Sequence, residues 1–353
     1  MMQVALTIFA AFIISLMMLP SLIKIAGERN IFDEPGERKL HTSRTPLLGG
    51  VAIFSGTIIS FLFFSANYFE SSQLYVLTSL IILFIAGFID DLHPLRPGVK
   101  LFLQVIAAAI TVLFAGIDCS GLHGLFGIHT LTGIYPPIVS ILLILVIVNA
   151  FNFIDGIDGL AGSIGAVSTA CFGFLFLSLN DNLSAFLSFA LCGSLLAFLI
   201  YNFSPAKIFM GDTGTLVTGF ILSLLTIQLT EETRNTASSF EWLNYQSAPV
   251  IALALLIIPV IDLIRVTSIR LLKGQSPIHA DNNHIHHVLV DAGMNHNNAT
   301  LLLLFVNLIF VAAAFLFRKA DQSFIFFGLI VSGILLSQLP YLLLKKKMKK
   351  TAV

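Results

Sequence analysis

Asn149, Asn152, Asp155 and Asp158 recur at every third position of one short stretch, Asn-Ala-Phe-Asn-Phe-Ile-Asp-Gly-Ile-Asp-Gly. Helical neighbours at that spacing share a face, so four oxygen-bearing side chains could converge on one site. Carboxylate and amide oxygens without thiolates suit a hard divalent cation, Mg²⁺ before Zn²⁺. The plainer alternative is a turn built on Asp. Asp90 and Asp91 are adjacent carboxylates at the end of an apolar run. One of them could keep a raised pKa and act as a base, or both could face a cation. A solvated helix end is the alternative, although acidic residues there oppose the helix dipole.

Asp212 follows Phe209-Met-Gly and precedes Thr-Gly-Thr at the start of another apolar run. This pattern fits a helix cap or a phosphate-facing helix start in which Asp212 adds a metal ligand. Lys100 enters its own apolar run just after Pro94 and Pro97. His284, His286 and His287 form His-Ile-His-His downstream of Arg265 and Arg270. They lack a complete tetrahedral zinc set and read better as donors to a diphosphate. Lys39, His41 and Arg44 precede Gly49-Gly50, either as an ordinary basic loop or as a group facing an anionic substrate or lipid phosphate. Together these residues suit phosphoryl-group transfer, where catalysis is mostly positioning and charge neutralisation.

The elements that must hold these residues are membrane spans. Hydrophobic residues make up 57% of the 353 and charged residues only 11%, against about 25% charged in a soluble domain. At roughly 20 apolar residues per crossing, eleven spans are expected, near 4–23, 47–66, 73–89, 99–116, 133–149, 159–178, 183–202, 213–230, 246–266, 299–317 and 323–344. The fold class is thus all-α and polytopic, with residues 1–353 forming one transmembrane domain. Its polar loops fall near 24–46, 90–100, 150–158, 203–212 and 267–298. Sixteen of the nineteen Lys and Arg lie on the side that carries these loops or in the C-terminal tail. The positive-inside rule then puts the N-terminus outside and the C-terminus in the cytoplasm, and an odd span count agrees. The first run lacks a basic leader and a small-residue cleavage site, so it is expected to remain as a span. Lys+Arg and Asp+Glu balance at 19 each, which gives nucleic-acid binding no support. Cys119, Cys171 and Cys192 lack metal-ligand spacing and read as small core hydrophobes.

Across these motifs the sequence resembles the polyprenyl-phosphate N-acetylhexosamine-1-phosphate transferases, the MraY/WecA/TagO-like superfamily, most closely its WecA-like branch. The resemblance rests on the Asp33–His41 and Pro46-Leu-Leu-Gly-Gly50 elements, Asp90-Asp91, the Asn149–Gly159 stretch, Phe-Met-Gly-Asp212, Ile-Pro-x-x-Asp262 and His-Ile-His-His. It implies transfer of a sugar 1-phosphate, GlcNAc 1-phosphate before others, from a UDP-sugar to undecaprenyl phosphate. UMP is released, and the reaction opens a cell-envelope glycan pathway such as O-antigen or wall-polymer synthesis. By motif position the resemblance implies Asp212 and Asn152 as Mg²⁺ contacts, with Mn²⁺ as a substitute, and Asp155 and Asp158 nearby for metal or sugar. Asp90 and Asp91 match the acidic pair, whose division of labour stays open. Lys100 matches a diphosphate-binding Lys, Phe209 an aromatic that stacks on uracil, and His284, His286 and His287 a nucleotide-phosphate motif. Lys39, His41, Asn149 and Arg265 complete the expected substrate contacts.

The residues preceding His-Ile-His-His, Gln275-Ser-Pro-Ile-His-Ala-Asp-Asn-Asn, favour UDP-GlcNAc over an MraY-type UDP-MurNAc-pentapeptide donor. Direct attack of lipid phosphate on the nucleotide is preferred to a covalent Asp intermediate. The expected location is the bacterial inner membrane with the site on its cytoplasmic face, and a homodimer is compatible. A polyprenyl-lipid transporter is the rival from another class, but it would place polar groups near the midplane, whereas these motifs gather at one face.

Overall fold

The computed structural model of the protein describes residues 2–33, 44–235, 245–276 and 283–351. The architecture is a helical bundle in which the order of elements follows the apolar runs. Helix α1 (Met2–Arg29) leads to a two-residue antiparallel pair, β1 (Phe32–Asp33) with β2 (Thr45–Pro46), in which Phe32 faces Pro46. Then come α2 (Gly49–Ser65), α3 (Gln73–Leu92), α4 (Pro97–Phe114), α5 (Tyr135–Ile154), α6 (Leu160–Ser178), α7 (Asn182–Asn202) and α8 (Gly211–Asn235). The chain ends with α9 (Ala248–Leu255), α10 (Ile257–Leu272), α11 (Ile285–Asp291), α12 (His296–Leu316) and α13 (Gln322–Thr351).

Among the described residues, ten helices are long and apolar enough to cross a bilayer, and α9 with α10 makes an eleventh if that pair is one span. The protein is therefore an all-α, multi-pass membrane protein. The span expected near 246–266 is not a straight helix. It breaks at Leu256 and bends by 77°, leaving α10 to run on to Leu272 beneath the polar loops. Apolar length predicts that a segment is buried, and it cannot distinguish a straight rod from a broken one.

Side chains sort by neighbour. Phe63, Phe102, Phe305 and Phe324 are each more than half exposed, as apolar residues facing lipid can be without cost. At the centre lies α8, with 94% of its best membrane-length window buried, against 22% for α1 and α13. Helices α2, α3 and α5 all pack on α8. Because lipid tails are as apolar as Leu, membrane helices associate through close packing, for which small residues are needed. A Cβ added at Gly50 would lie 2.1 Å from the Gly214 nitrogen, and one at Gly87 only 2.5 Å from the Thr213 Cα. Both crossings fall at the first turn of α8, so close backbone packing surrounds Asp212.

Candidate active site

Ends of α3, α5, α7, α8, α11 and α12, with the segments between them, enclose a cavity of about 650 Å³ at one end of the bundle. Asp90 and Asp91 enter it from the end of α3, Asn152 from the end of α5, Asp155 and Asp158 from the turn after α5, and Asp212 from the start of α8. Phe209, His287 and His296 complete the polar and aromatic wall.

Asp212 is the hub. Its carboxylate accepts from Lys100 Nζ at 2.5 Å and from Asn152 Nδ2 at 2.6 Å. The Asn152 amide also reaches Thr215 Oγ1 at 2.7 Å. Lys100 donates in addition to Asp90 at 3.1 Å, while the other Asp90 oxygen accepts from the Leu95 N–H. The lysine side chain is 16% exposed, so it neutralises two carboxylates largely out of water.

Asp90 and Asp91 point apart. Adjacent residues on a helix are separated by about 100°, and α3 packs on α4 along one side and α8 along another. Asp90 accordingly meets Leu95 and Lys100. Asp91 accepts from the N–H groups of Asp212 at 2.6 Å and Thr213 at 3.0 Å, and from the Thr213 hydroxyl at 2.5 Å.

The four residues spaced by three also separate. Asn149 donates to Gln104 of α4 at 2.8 Å, inside the helix packing rather than on the cavity wall. Asn152 lies further round α5 and faces α8. Helix α5 ends at Ile154, so Asp155 and Asp158 sit on a turn rather than on a shared helical face. Among the described residues, the Asp155 carboxylate has no hydrogen-bond partner. Burial, together with the negative charges of Asp212, Asp91, Asp158 and Asp33, pushes its pKa up to about 7. Asp158 goes the other way: burial raises it, but the hydrogen bond and charge of His296 and the Ala206 N–H outweigh burial and hold it below the usual range. Its carboxylate lies 3.2 Å from His296 Nδ1, and its carbonyl accepts from the Thr300 hydroxyl, joining the turn to the start of α12.

The histidines divide the same way. His287 lines the cavity. His284 is held by Asp262, its Nδ1 2.7 Å from the carboxylate, which also accepts from the Ile285 N–H and from Arg265. Arg265 donates further to the Asn283 carbonyl and the Tyr341 hydroxyl. His286 is buried against Gly156, where an added Cβ would stand 2.0 Å from its Nε2. Burial lowers its pKa well below the ordinary value, keeping the ring neutral. Lys39 and His41 lie outside the described residues. Asp262 and Thr213 belong to the site's support although the motif reading gave them no role. For Asp262 the signal was present: a carboxylate inside an apolar run, three residues before Arg265.

Among the described residues, no three His, Cys, Asp or Glu side chains form a ready-made metal cage. Mg²⁺ seldom needs one, since it is held by one or two carboxylates with waters and substrate phosphates supplying the rest. The oxygen-only set of Asp212, Asp155 and the Asn152 amide fits that habit. The unpartnered Asp155 carboxylate, crowded by other negative charges, is where a divalent cation would relieve the most repulsion.

Residues 73–230 match the family model described as glycosyl transferase family 4. The chain is 31% identical, over 92% of its length and 89% of the relative's, to a probable undecaprenyl-phosphate N-acetylglucosaminyl 1-phosphate transferase of Bacillus subtilis. It is 33% identical to the undecaprenyl-phosphate alpha-N-acetylglucosaminyl 1-phosphate transferase of Haemophilus influenzae, over 87% of this chain and 84% of that one. The corresponding protein of Pasteurella multocida is 34% identical over 85% and 81%. The matched segment runs from the start of α3 through most of α8 and so carries Asp90, Lys100, Asn152, Asp155 and Asp212. The chain belongs to glycosyl transferase family 4.

Proposed function

We propose that the protein transfers N-acetylglucosamine 1-phosphate from UDP-GlcNAc to undecaprenyl phosphate, releasing UMP, at the cytoplasmic face of the bacterial inner membrane. The observation that carries the reading is the cavity at one end of the bundle, lined by Asp90, Asp155 and Asp212, with Lys100 bound to Asp90 and Asp212. The names borne by the similar proteins supply donor group and acceptor. The charge bias of the loops supports a cytoplasmic site.

In the reaction, an oxygen of the lipid phosphate attacks the β-phosphorus of the UDP-sugar. The bond from that phosphorus to the oxygen bridging the two phosphates breaks, and UMP leaves with the bridging oxygen. Such a transfer needs alignment and neutralisation more than covalent participation. Asp212, Asp155 and Asn152 would hold Mg²⁺, which when bound supplies positive charge to the diphosphate. Lys100, fixed between Asp90 and Asp212, adds a cation within reach of the same group. His287 and His296 offer donors at the rim, and Phe209 offers a ring face for the uracil.

The test is purified protein with undecaprenyl phosphate, Mg²⁺ and a panel of UDP-sugars, following UMP and the lipid-linked product. UDP-GlcNAc should turn over best, with Mn²⁺ able to replace Mg²⁺. Full turnover in excess chelator would remove the metal from the scheme, and product from none of the UDP-sugars would overturn the reaction.

A further inference from the structure

We infer that Asp91 is a positioning residue: it caps the first turn of α8 from a neighbouring helix and thereby aims Asp212, and it is not the base of the reaction. The inference rests on the function proposed above and divides the labour within its acidic pair.

The argument begins with what a helix start lacks. The first amides of a helix have no partner within it, and a side-chain oxygen just before the helix usually accepts from one of them. Helix α7 is capped in that way, Asp181 accepting from the Ser184 N–H at 3.1 Å, and α12 likewise, Asn295 accepting from the Asn298 N–H at 2.8 Å. The residue preceding α8 is Met210, which carries no such oxygen. Asp91, 121 positions upstream of Asp212, fills that role with both of its oxygens, one on the Asp212 N–H and the other on the Thr213 N–H and hydroxyl.

Gly211 supports the same assignment. It has φ +68°, and a Cβ there would stand 2.6 and 2.7 Å from the two Asp91 oxygens and 2.7 Å from the Leu47 carbonyl. Glycine thus serves both the left-handed backbone and the approach of the carboxylate. With three donors on it, Asp91 has little capacity left to take a proton from a substrate. Its effect on the reaction passes through the backbone of Asp212, whose side chain then faces Lys100 and Asn152.

A cap and a base respond differently to one substitution. Asp91→Asn keeps an oxygen that can accept an amide hydrogen, whereas Asp91→Ala keeps none; a base is lost in both. For the cap, Asp91→Asn should retain turnover within about tenfold of the parent, the loss of one hydrogen bond. Asp91→Ala should fall about a hundredfold, as expected when a reacting group is misplaced by roughly 1 Å, with a higher Mg²⁺ concentration needed for half-maximal rate. Hydrogen exchange at the Asp212 and Thr213 amides, measured on the whole detergent-solubilised protein, reads the cap without any reaction. It should quicken in Asp91→Ala and stay near the parent in Asp91→Asn. The inference is overturned if Asp91→Asn is as inactive as Asp91→Ala while its amides stay protected, or if exchange in Asp91→Ala does not change. A parent protein inactive on every UDP-sugar would count against the proposed reaction, and the exchange experiment would still decide the cap.

Discussion

Replacing Gly87 by Ala places one methyl group at the crossing of α3 and α8, and the structure sets the consequence. The new Cβ would lie 2.5 Å from the Thr213 Cα and 2.6 Å from the Asp212 carbonyl oxygen and the Thr213 nitrogen, where ordinary contact begins at 3.4 Å. These are backbone atoms and cannot swing aside, so the helices must part by about 0.9 Å. The 3.0 Å bond from the Thr213 N–H to Asp91 then lengthens to nearly 4 Å, beyond hydrogen-bonding reach. Overpacking costs about 1–3 kcal/mol and the lost bond about 1 kcal/mol, for a total of roughly 2–4 kcal/mol. Asp212 moves with its backbone, and a shift of that size should lower kcat about a hundredfold. Gly98→Ala is the control. Two residues from Lys100, its added Cβ meets nothing within 4 Å, so it should be neutral or stabilising by about 0.5 kcal/mol. Thermal unfolding in detergent and UMP release read the two effects. If Gly87→Ala melts and turns over like the parent, the close-packing argument fails. If it melts early yet keeps full kcat, the coupling between α8 and the site is wrong.

The elevated pKa of Asp155 makes a second prediction. A carboxyl titrating near 7 in the fold and near 4 when unfolded holds its proton more tightly in the native state. Without a divalent cation, stability should therefore fall as pH rises from about 4 to 7, and Asp155→Asn should flatten that slope while abolishing turnover; equal slopes in calorimetry of the two proteins would refute it. Asp262→Asn should leave Arg265 and His284 without their shared buried carboxylate, at a cost of about 3–5 kcal/mol. Limited proteolysis near Asn283 should become faster, and an unchanged cleavage rate would contradict the anchoring role. For orientation, an impermeant thiol reagent on sealed cells should label Thr130→Cys and miss Lys273→Cys, both of which are exposed; the reverse pattern would invert the proposed topology.

Much of the fold was legible because lipid imposes a simple length rule, and the eleven apolar runs became ten membrane-length helices and one bent pair. The bend at Leu256 had a signal that apolar length alone does not use: Pro259 has no N–H and its ring clashes with the carbonyl four residues back, and that Leu255 carbonyl accepts instead from Ser168 and Asn307. At the site, residue types were more legible than directions. Asp90 with Asp91 looks like one feature in the sequence, yet a helical step of about 100° sends them to different neighbours. The Asn149–Asp158 spacing assumes a continuous helix, whereas α5 stops at Ile154 and Asn149 already faces α4. His-Ile-His-His suggests one cluster of donors. Among its three rings, one is held by Asp262, one is wedged on Gly156 and one lines the cavity. Those assignments depend on partners outside the motif, Asp262 lying 22 residues before His284 and Gly156 on a turn after α5, which local spacing does not encode.

The burial of α8 also bears on biogenesis. Its membrane-length window is the least apolar of the ten, which weakens its own tendency to partition into lipid during insertion. Yet α2, α3 and α5, which pack on it, all precede it in the chain. The ribosome thus delivers the helix bearing Asp212 after these neighbours, into a nest they have already begun to form. A lesion at Gly50 or Gly87 would then act during synthesis as well as in the finished enzyme, leaving α8 stranded at the translocon and the chain open to membrane quality control.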